Sequence, residues 1–209
     1  MWSIETRTWN HRAMNSNAGA RRVWTIGHSR HELGAFLELL KNNEITALVD
    51  VRTIPMSRMA PQFNEGSLKK ALIADSITYI SMGKELGGRP SEDFMYDTEG
   101  RVFYNKLAES ELFKMGVERV VNGSGQFNIA IMCSEGKPDG CHRHLLIGRV
   151  LHEMGIEVVN ILVDGSLKSY NQLNPEESQM PLLDLEEEEP WKSILPVRQE
   201  SQQSDSSYD

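Results

Sequence analysis

The chain has few of the features that mark secreted and membrane proteins. It holds two cysteines in 209 residues, both beside polar or charged neighbours, so a disulfide framework is not expected. No run approaches the roughly 20 apolar residues that a membrane span needs. The first 22 residues contain no continuous apolar stretch of the kind found in secretory signals. We therefore expect a cytoplasmic protein with no membrane partner.

Two glycine-rich loops that bind phosphates are also missing. The sequence contains neither the G-x-x-x-x-G-K-[ST] loop nor the G-x-G-x-x-G fingerprint, so nucleotide binding by either device is not supported. The C-x5-R spacing of cysteine phosphatases is absent as well, because Arg143 lies ten residues after Cys133. From these patterns no cofactor is expected.

The net negative charge of the chain comes from its C-terminal part alone. The formal net charge is −8, and all of it comes from residues 176–209, which hold ten acids and two bases. Residues 1–175 hold twenty of each. The sequence pI of about 5.3 therefore does not argue against an anionic substrate, because local basic groups decide that question.

Short apolar runs alternate with segments of helical periodicity from residue 23 onward. The pattern predicts buried strands over residues 23–27, 46–51, 77–82, 127–133 and 157–163. It predicts helices over residues 33–40, 67–76, 105–121 and 142–154. The candidate core positions of the third helix are Leu107, Leu112, Met115, Val117 and Val120. This alternation favours an α/β fold with a mostly parallel sheet and helices on both faces.

Composition divides the chain into three parts. Residues 1–22 are polar and without periodicity, which predicts a flexible leader. Residues 23–175 carry the alternating pattern of a single α/β domain. Residues 176–209 are acidic and then rich in serine and glutamine, which predicts a disordered tail.

Polar side chains follow three of the predicted strands, and the first such cluster is His28 and Ser29. In an open α/β sheet, ligands bind outside the carboxyl ends of the strands. A histidine at that position can act as an acid, a base or a ligand near neutral pH. Ser29 fits equally well as the cap of the helix that follows.

The second cluster contains Asp50, Arg52 and Arg58. Asp50 lies in an apolar run, and an unpaired buried carboxylate is costly, so it should hold Arg52, Arg58, His28 or a backbone N–H. The two arginines could clamp a phosphate or carboxylate. The alternative is a structural ion pair that orders the loop.

The third cluster runs from Cys133 to Arg143. Cys133 ends a strand, and Cys141 begins a helix together with His142 and Arg143. The field of a helix start and its basic neighbours lower the pKa of a thiol and favour anions. The alternative is that Cys133 is a small buried hydrophobic residue and Cys141 has no chemical role.

A metal site built on these residues is a further possibility. His28, Cys133, Cys141 and His142 could supply two sulfur and two nitrogen ligands for zinc or iron. The spacing of the two cysteines does not match a compact zinc motif, so we rank a metal below an anion site and predict no metal ligands.

Six short motifs resemble the domain of unknown function 488 family in order and spacing. They are TIGHS (25–29), LVDVR (48–52), PQFN (61–64), ELGGR (85–89), MCSE (132–135) and CHRHLL (141–146), and the resemblance spans about residues 23–165. It implies the α/β fold given above and brings no established activity. The motifs place the following residues at signature positions of the family: His28, Ser29, Asp50, Arg52, Arg58, Gln62, Asn64, Gly87, Gly88, Arg89, Cys133, Glu135, Cys141, His142 and Arg143.

A second resemblance, by analogy only, is to the rhodanese sulfurtransferases. LVDVR followed by an apolar strand into Cys133, a glycine-containing loop, a helix and VVNILVDGS looks like the rhodanese plan. The loop after Cys133 is longer than the tight rhodanese anion cradle and contains Pro138, which is a departure from that plan.

These patterns support three functional hypotheses. The first is an enzyme acting on an anionic, phosphate-bearing or nucleic-acid-derived substrate, with arginines 52, 58 and 143 positioning the anion. In it, Cys133 or Cys141 is the nucleophile, His28 or His142 the acid or base, and Asp50 the orienting group. The second is a non-catalytic module that binds a nucleotide or nucleic acid, and the third is a metal or redox site on the cysteines. The sequence does not determine the oligomeric state.

Overall fold

The structure is a computed structural model that describes residues 21–175 and 191–197. The predicted leader up to residue 20 and the tail residues 176–190 and 198–209 lie outside this range. Within it, the strands are β1 (Arg22–Gly27), β2 (Ala47–Asp50), β3 (Thr78–Ser81), β4 (Ile129–Cys133), β5 (Glu157–Ile161) and β6 (Leu167–Ser169). The five predicted strands are thus confirmed to within two residues at either end.

The described α-helices are α1 (Leu33–Asn42), α2 (Glu65–Ala74), α3 (Gly83–Leu86), α4 (Tyr104–Glu109), α5 (Glu111–Gly123), α6 (Arg149–Glu153) and α7 (Tyr170–Leu173). Short 3-10 turns occur at Pro61–Phe63 and Asp93–Met95, and a π-helical segment covers Arg143–Gly148. No helix in the described part of the chain is long and apolar enough to cross a membrane.

The strands form one sheet in the order β3-β2-β4-β1-β5-β6. Every pair from β3 to β5 is parallel, and only β6 at the edge runs antiparallel, against β5. β6 was not predicted because its three residues, LKS, are polar and carry no apolar period. The mostly parallel α/β sheet expected from the sequence is confirmed.

Helices cover both faces of this sheet because alternate strand residues point to opposite sides. On one face, Val49 and Ile131 pack with Phe113 and Val117 of α5. On the other face, Leu48 and Met132 pack with residues of α1 and α2, namely Phe36, Leu40, Leu68 and Leu72. Cys133 belongs to the α5 face of the sheet.

The helix predicted over residues 105–121 is two helices. Ser110 has extended backbone and ends α4, and its side chain accepts a hydrogen bond from Phe113 N at the start of α5. The break rotates the buried face of α5 onto Phe113, Val117 and Val120. Leu112 and Met115 are therefore exposed, and their prediction as core residues was wrong.

Two other helix starts differ from the sequence prediction. Ser29 does not cap α1, because its backbone is left-handed, with φ of 47°, and the residue before the helix is Glu32. The helix predicted over residues 142–154 begins as the π-helical segment and continues as α6. Such segments are frequent at functional sites.

Residues 191–197, which lie inside the predicted tail, pack against the domain. Trp191 O accepts a hydrogen bond from Tyr104 N at 2.8 Å, and its indole Nε1 donates to Leu145 O at 3.2 Å. Ser193 exchanges hydrogen bonds with the backbone of Val102. This segment therefore forms part of the surface beside α4.

Candidate functional site

The three polar clusters meet at the carboxyl edge of the sheet. In the β1–β4 pair, Gly27 lies opposite Cys133, and in the β2–β4 pair, Asp50 lies opposite Met132. The backbone continues this pairing beyond the strands, since His28 N donates to Cys133 O at 3.0 Å. The loops that follow β1, β2 and β4 therefore begin side by side, as the sequence analysis expected from parallel strands.

A cavity of about 420 Å³ opens at this edge. Residues of the third polar cluster line it, and so do residues 193 and 195–197 of the segment described above. The side chains with charged, phenolic, imidazole or thiol groups among its lining residues are Arg52, Arg89, Tyr104, Cys133, Glu135, Cys141 and His142.

Glu135 joins the two cysteines. The Cys133 thiol donates to Glu135 Oε2 at 2.9 Å, and the Cys141 thiol donates to the same oxygen at 3.2 Å. The two sulfur atoms and this oxygen all lie within 4.8 Å of one another. The tertiary structure thus brings together two cysteines that are eight positions apart in the sequence.

Arg143 holds the loop that follows β4 through hydrogen bonds of its side chain. Its side chain is fully buried, and Nη1 donates to Cys133 Sγ at 2.8 Å and to Glu135 O, while Nη2 donates to Gly136 O at 3.1 Å. Gly27 leaves room for this packing, because a Cβ there would lie 1.8 Å from Glu135 O. Arg143 does not line the cavity, so it supports the thiol cluster rather than reaching the open space.

The two thiols have opposite pKa shifts. Burial raises the pKa of Cys133 well above its ordinary value, and the neighbouring Cys141 adds to this effect against the opposing charge of Arg143. Burial also raises the pKa of Cys141, but hydrogen bonds with Cys133 and His142 and the positive charges of His142 and Arg143 outweigh it. The pKa of Cys141 is thereby lowered to about 6. Cys141 is the thiol that ionises more readily.

His142 is placed to accept the proton of Cys141. Its Nε2 lies 3.3 Å from Val51 O, and a carbonyl oxygen can only accept, so the proton of the neutral ring is on Nε2. Nδ1 is therefore free to accept a proton, and it lies 3.9 Å from Cys141 Sγ. Burial lowers the pKa of His142, but its hydrogen bond and charge interaction with Cys141 outweigh burial, so the net shift is upward. A thiolate–imidazolium pair is the arrangement that these opposite shifts favour.

Asp50 and Arg52 form a buried ion pair. Arg52 Nη2 lies 2.6 Å from Asp50 Oδ2, and Arg52 Nε donates to Asp50 Oδ1 at 2.9 Å. Tyr79 OH also donates to Asp50 Oδ2 at 2.8 Å, and Arg52 Nη2 donates to Phe63 O at 2.8 Å. Arg52 is one of the partners that the sequence allowed for Asp50, and the ion pair fixes Arg52 where it borders the cavity.

His28 takes part in this network rather than in the cavity wall. Its Nδ1 donates to Ser29 O at 3.0 Å, and its Nε2 accepts from Arg52 Nη1 at 3.3 Å, so the ring is neutral. The ring stacks on Phe63 with the centroids 4.5 Å apart. Burial lowers the pKa of His28, and the charge of Arg52 acts in the same direction. His28 orients Arg52 and does not line the cavity.

The other signature residues divide between the cavity and its supports. Arg89 is exposed and lines the cavity, whereas Arg58 is exposed and does not. Gln62 donates to His31 O, and Asn64 accepts from Ser57 N, so both order the loop after β2. Ser29 N donates to Ser134 O, which ties the first loop to the third. Gly87 packs between Gly83 O and the Thr53 hydroxyl.

Two tyrosines of the site were missed in the sequence analysis. Tyr79 completes the bonds of Asp50, and Tyr104 lines the cavity at the start of α4. Burial raises the pKa of both phenols, so each remains protonated near neutral pH. Neither lies beside a motif, and only the pairing of β2 with β3 and the packing of α4 bring them to the site.

Gly88 is the residue against which the His142 ring packs. A Cβ at position 88 would lie 2.7 Å from His142 Cγ and 2.9 Å from its Nδ1. Gly88→Ala is therefore expected to displace the ring and to slow alkylation of Cys141 by about 10-fold, since small misplacements of catalytic groups are costly. Iodoacetamide labelling followed by mass spectrometry measures this rate. Gly66→Ala is the control, because nothing lies within 4 Å of a Cβ there, and equal rates in the two variants would contradict the expectation.

Fold and site together define an α/β protein with a cavity lined by two cysteines, a glutamate and a histidine at the carboxyl edge of a parallel sheet. The chain belongs to the family described as domain of unknown function DUF488, which matches residues 32–150. No curated protein and no solved structure shows significant similarity to the chain. The family resemblance seen in the motifs is therefore confirmed, and any activity has to be inferred from the site itself.

Proposed function

We propose that the cavity is the active site of a cysteine-dependent enzyme that acts on an anionic substrate, with Cys141 as its nucleophile. The observation that carries this proposal is that Cys141, His142, Glu135 and Arg89 all border one open cavity. A nucleophilic cysteine needs a low pKa, a proton acceptor and access to substrate. Cys141 has a lowered pKa and a neighbouring histidine, and it lines the cavity although only 1% of its surface is exposed.

The choice of Cys141 over Cys133 follows from their surroundings. Cys141 has His142 beside it and a pKa lowered to about 6, whereas Cys133 has its pKa raised by burial. His142 is the acid and base, since its Nδ1 faces the sulfur while Nε2 is held by Val51 O. His28 and Asp50 act as positioning residues through Arg52.

Arg89 is the main candidate for binding the anion. Arg52 has its charge balanced by Asp50, and Arg143 is buried behind Cys133. Arg89 is exposed and borders the same space as Cys141. An exposed guanidinium beside a reactive thiol selects substrates that carry a carboxylate or phosphate.

A cation between the sulfurs and Glu135 is the competing possibility. The three atoms are close enough for this, and the set differs from the predicted one because it contains Glu135 and neither His28 nor His142. The guanidinium of Arg143, whose Nη1 lies 2.8 Å from Cys133 Sγ, disfavours cation binding there, because two positive charges next to one sulfur would repel each other. Metal analysis of the purified protein decides the matter: a stoichiometric metal would contradict a free nucleophilic thiol.

The proposal is tested with two small alkylating reagents that differ in charge. Cys141 is expected to favour iodoacetate over iodoacetamide by several-fold more than N-acetylcysteine does at the same pH. Arg89→Ala should remove this preference. Arg58→Ala is the matched control, since Arg58 is also exposed but lies outside the cavity. Labelling of Cys133 in preference to Cys141, or the same ratio in both variants and wild type, would overturn the assignment.

A further inference from the structure

We propose that Cys133 is a second reacting cysteine, so that the site reduces a hydroperoxide and ends its reaction with a Cys133–Cys141 disulfide. This inference rests on the proposed function, because it needs Cys141 to react first. It also narrows the substrate to a compound that delivers an electrophilic oxygen to a thiolate.

The position of Cys133 is the first argument. In acyl or phosphoryl transfer Cys141 alone would form the covalent intermediate, so a second thiol beside it would have no covalent role. It becomes useful when the sulfur of Cys141 is itself turned into an electrophile, as in a sulfenic acid. Cys133 lines the same cavity and its sulfur lies within 4.8 Å of that of Cys141.

The composition of the chain supports the same pairing. Cys133 and Cys141 are the two cysteines in all 209 residues, so each can form an intramolecular disulfide only with the other. Both are free and buried in the structure. When both are protonated, the two thiols donate to one carboxylate oxygen of Glu135, so both sulfur atoms lie beside the same group.

The two cysteines have different roles because their environments differ. Cys141 lies beside His142 and is the thiol that attacks the substrate. Cys133 lies at the end of β4 and keeps its proton, which it donates in a hydrogen bond to Glu135. A resolving cysteine attacks as the thiolate, so Cys133 has to lie close to Cys141 and to give up its proton in the second step. The raised pKa of Cys133 keeps it protonated, and therefore unreactive, while Cys141 reacts first.

The first step oxidises Cys141. Its thiolate attacks the terminal oxygen of the hydroperoxide, so that an S–O bond forms, the O–O bond breaks and the thiolate becomes a sulfenic acid. The departing alkoxide takes the proton held by the His142 imidazolium and leaves as an alcohol. Two electrons pass from the sulfur to the peroxide, which is reduced.

The second step closes the disulfide. Cys133 sulfur attacks the Cys141 sulfur, an S–S bond forms and the S–O bond breaks. The proton of the Cys133 thiol passes through Glu135, which lies 2.9 Å from one sulfur and 3.2 Å from the other, to the departing hydroxide, which leaves as water. A dithiol reductant returns both cysteines to the starting state.

The experiment uses the reduced full-length chain and one equivalent of hydrogen peroxide. Wild type is expected to lose two hydrogens and to give a peptide that links Cys133 to Cys141 on non-reducing digestion. Cys133→Ser should lose the linked peptide and accumulate a sulfenic acid on Cys141 that dimedone traps. Glu135→Gln should lower the ratio of the disulfide-closure rate to the rate of sulfenic acid formation by about 10-fold, with the ratio unchanged in Glu109→Gln, the exposed control.

Two outcomes would overturn the inference, and they are distinct. If Cys141 prefers iodoacetate but peroxide leaves a stable sulfenic acid on wild type with Cys133 free, the proposed function stands and the second cysteine is not a reactant. If Cys141 neither alkylates ahead of Cys133 nor oxidises, both proposals fail. Circular dichroism of each variant shows whether the change comes from loss of folding.

Discussion

Arg143→Leu is expected to lower the free energy of unfolding by about 3 kcal/mol. The side chain is fully buried and donates to Cys133 Sγ and to the carbonyl oxygens of Glu135 and Gly136. Leucine has no donor, so these acceptors lose their partner, and its smaller volume leaves a gap behind β4. Urea denaturation of the reduced protein measures the change.

The matched control for this variant is Arg119→Ala. Arg119 is about half exposed and pairs with Glu85, and a surface pair of that kind contributes about 0–1 kcal/mol. A loss of stability in Arg143→Leu no larger than in Arg119→Ala would mean that the loop of Glu135 is held by other contacts. Arg143→Leu should also raise the pKa of both thiols, because the positive charge of Arg143 lowers the pKa of each cysteine.

Alkylation of Cys141 is expected to reach half its maximal rate near pH 6. Its pKa is lowered to about 6, because hydrogen bonds and the positive charge of His142 outweigh burial. The rate should therefore rise as the pH passes through 6 and level off above about pH 7, since the thiolate is the reacting form. Iodoacetamide labelling followed by peptide mass spectrometry separates Cys141 from Cys133.

The size of this effect follows from two opposing quantities. At pH 6, half of Cys141 is thiolate, against roughly 0.3% of a thiol with a pKa of about 8.5, a gain of more than about 100-fold. A thiolate of lower pKa is a weaker nucleophile, and this costs about 10-fold. Cys141 should thus react about 10-fold faster than N-acetylcysteine at pH 6. At pH 9, N-acetylcysteine should react faster than Cys141.

The variant that tests the origin of the shift is His142→Asn. It removes the imidazolium while keeping a polar side chain of similar size, so the midpoint of Cys141 alkylation should move upward in pH. His152→Asn is the control, because His152 lies in α6 against Tyr170 and outside the cavity. An unchanged midpoint in His142→Asn would show that Arg143 and Cys133 alone set the pKa.

The sheet could be predicted from the sequence, because each buried strand is a short apolar run and each helix repeats apolar residues on one side. β1, β2, β3, β4 and β5 all appeared as such runs. The clusters after β1, β2 and β4 could be predicted to meet for the same reason, since parallel strands bring their carboxyl ends to one edge. Asp50 could be assigned a partner because a carboxylate inside an apolar strand must have one, and Arg52 was among the candidates.

The roles within the site were decided by tertiary packing. The sequence made His28 and His142 equal candidates for the acid or base, and Arg143 a candidate for positioning the anion. In the structure, His28 bonds Arg52, and Arg143 is buried behind Cys133. Local pattern carries no information on distance, so the approach of Cys133, Glu135 and Cys141 to within 4.8 Å depends on how the loop folds back over Gly27. The sequence by itself determined which residue types stand at the edge of the sheet. Only the tertiary structure decided which of them face the cavity, because that depends on contacts between segments far apart in the chain.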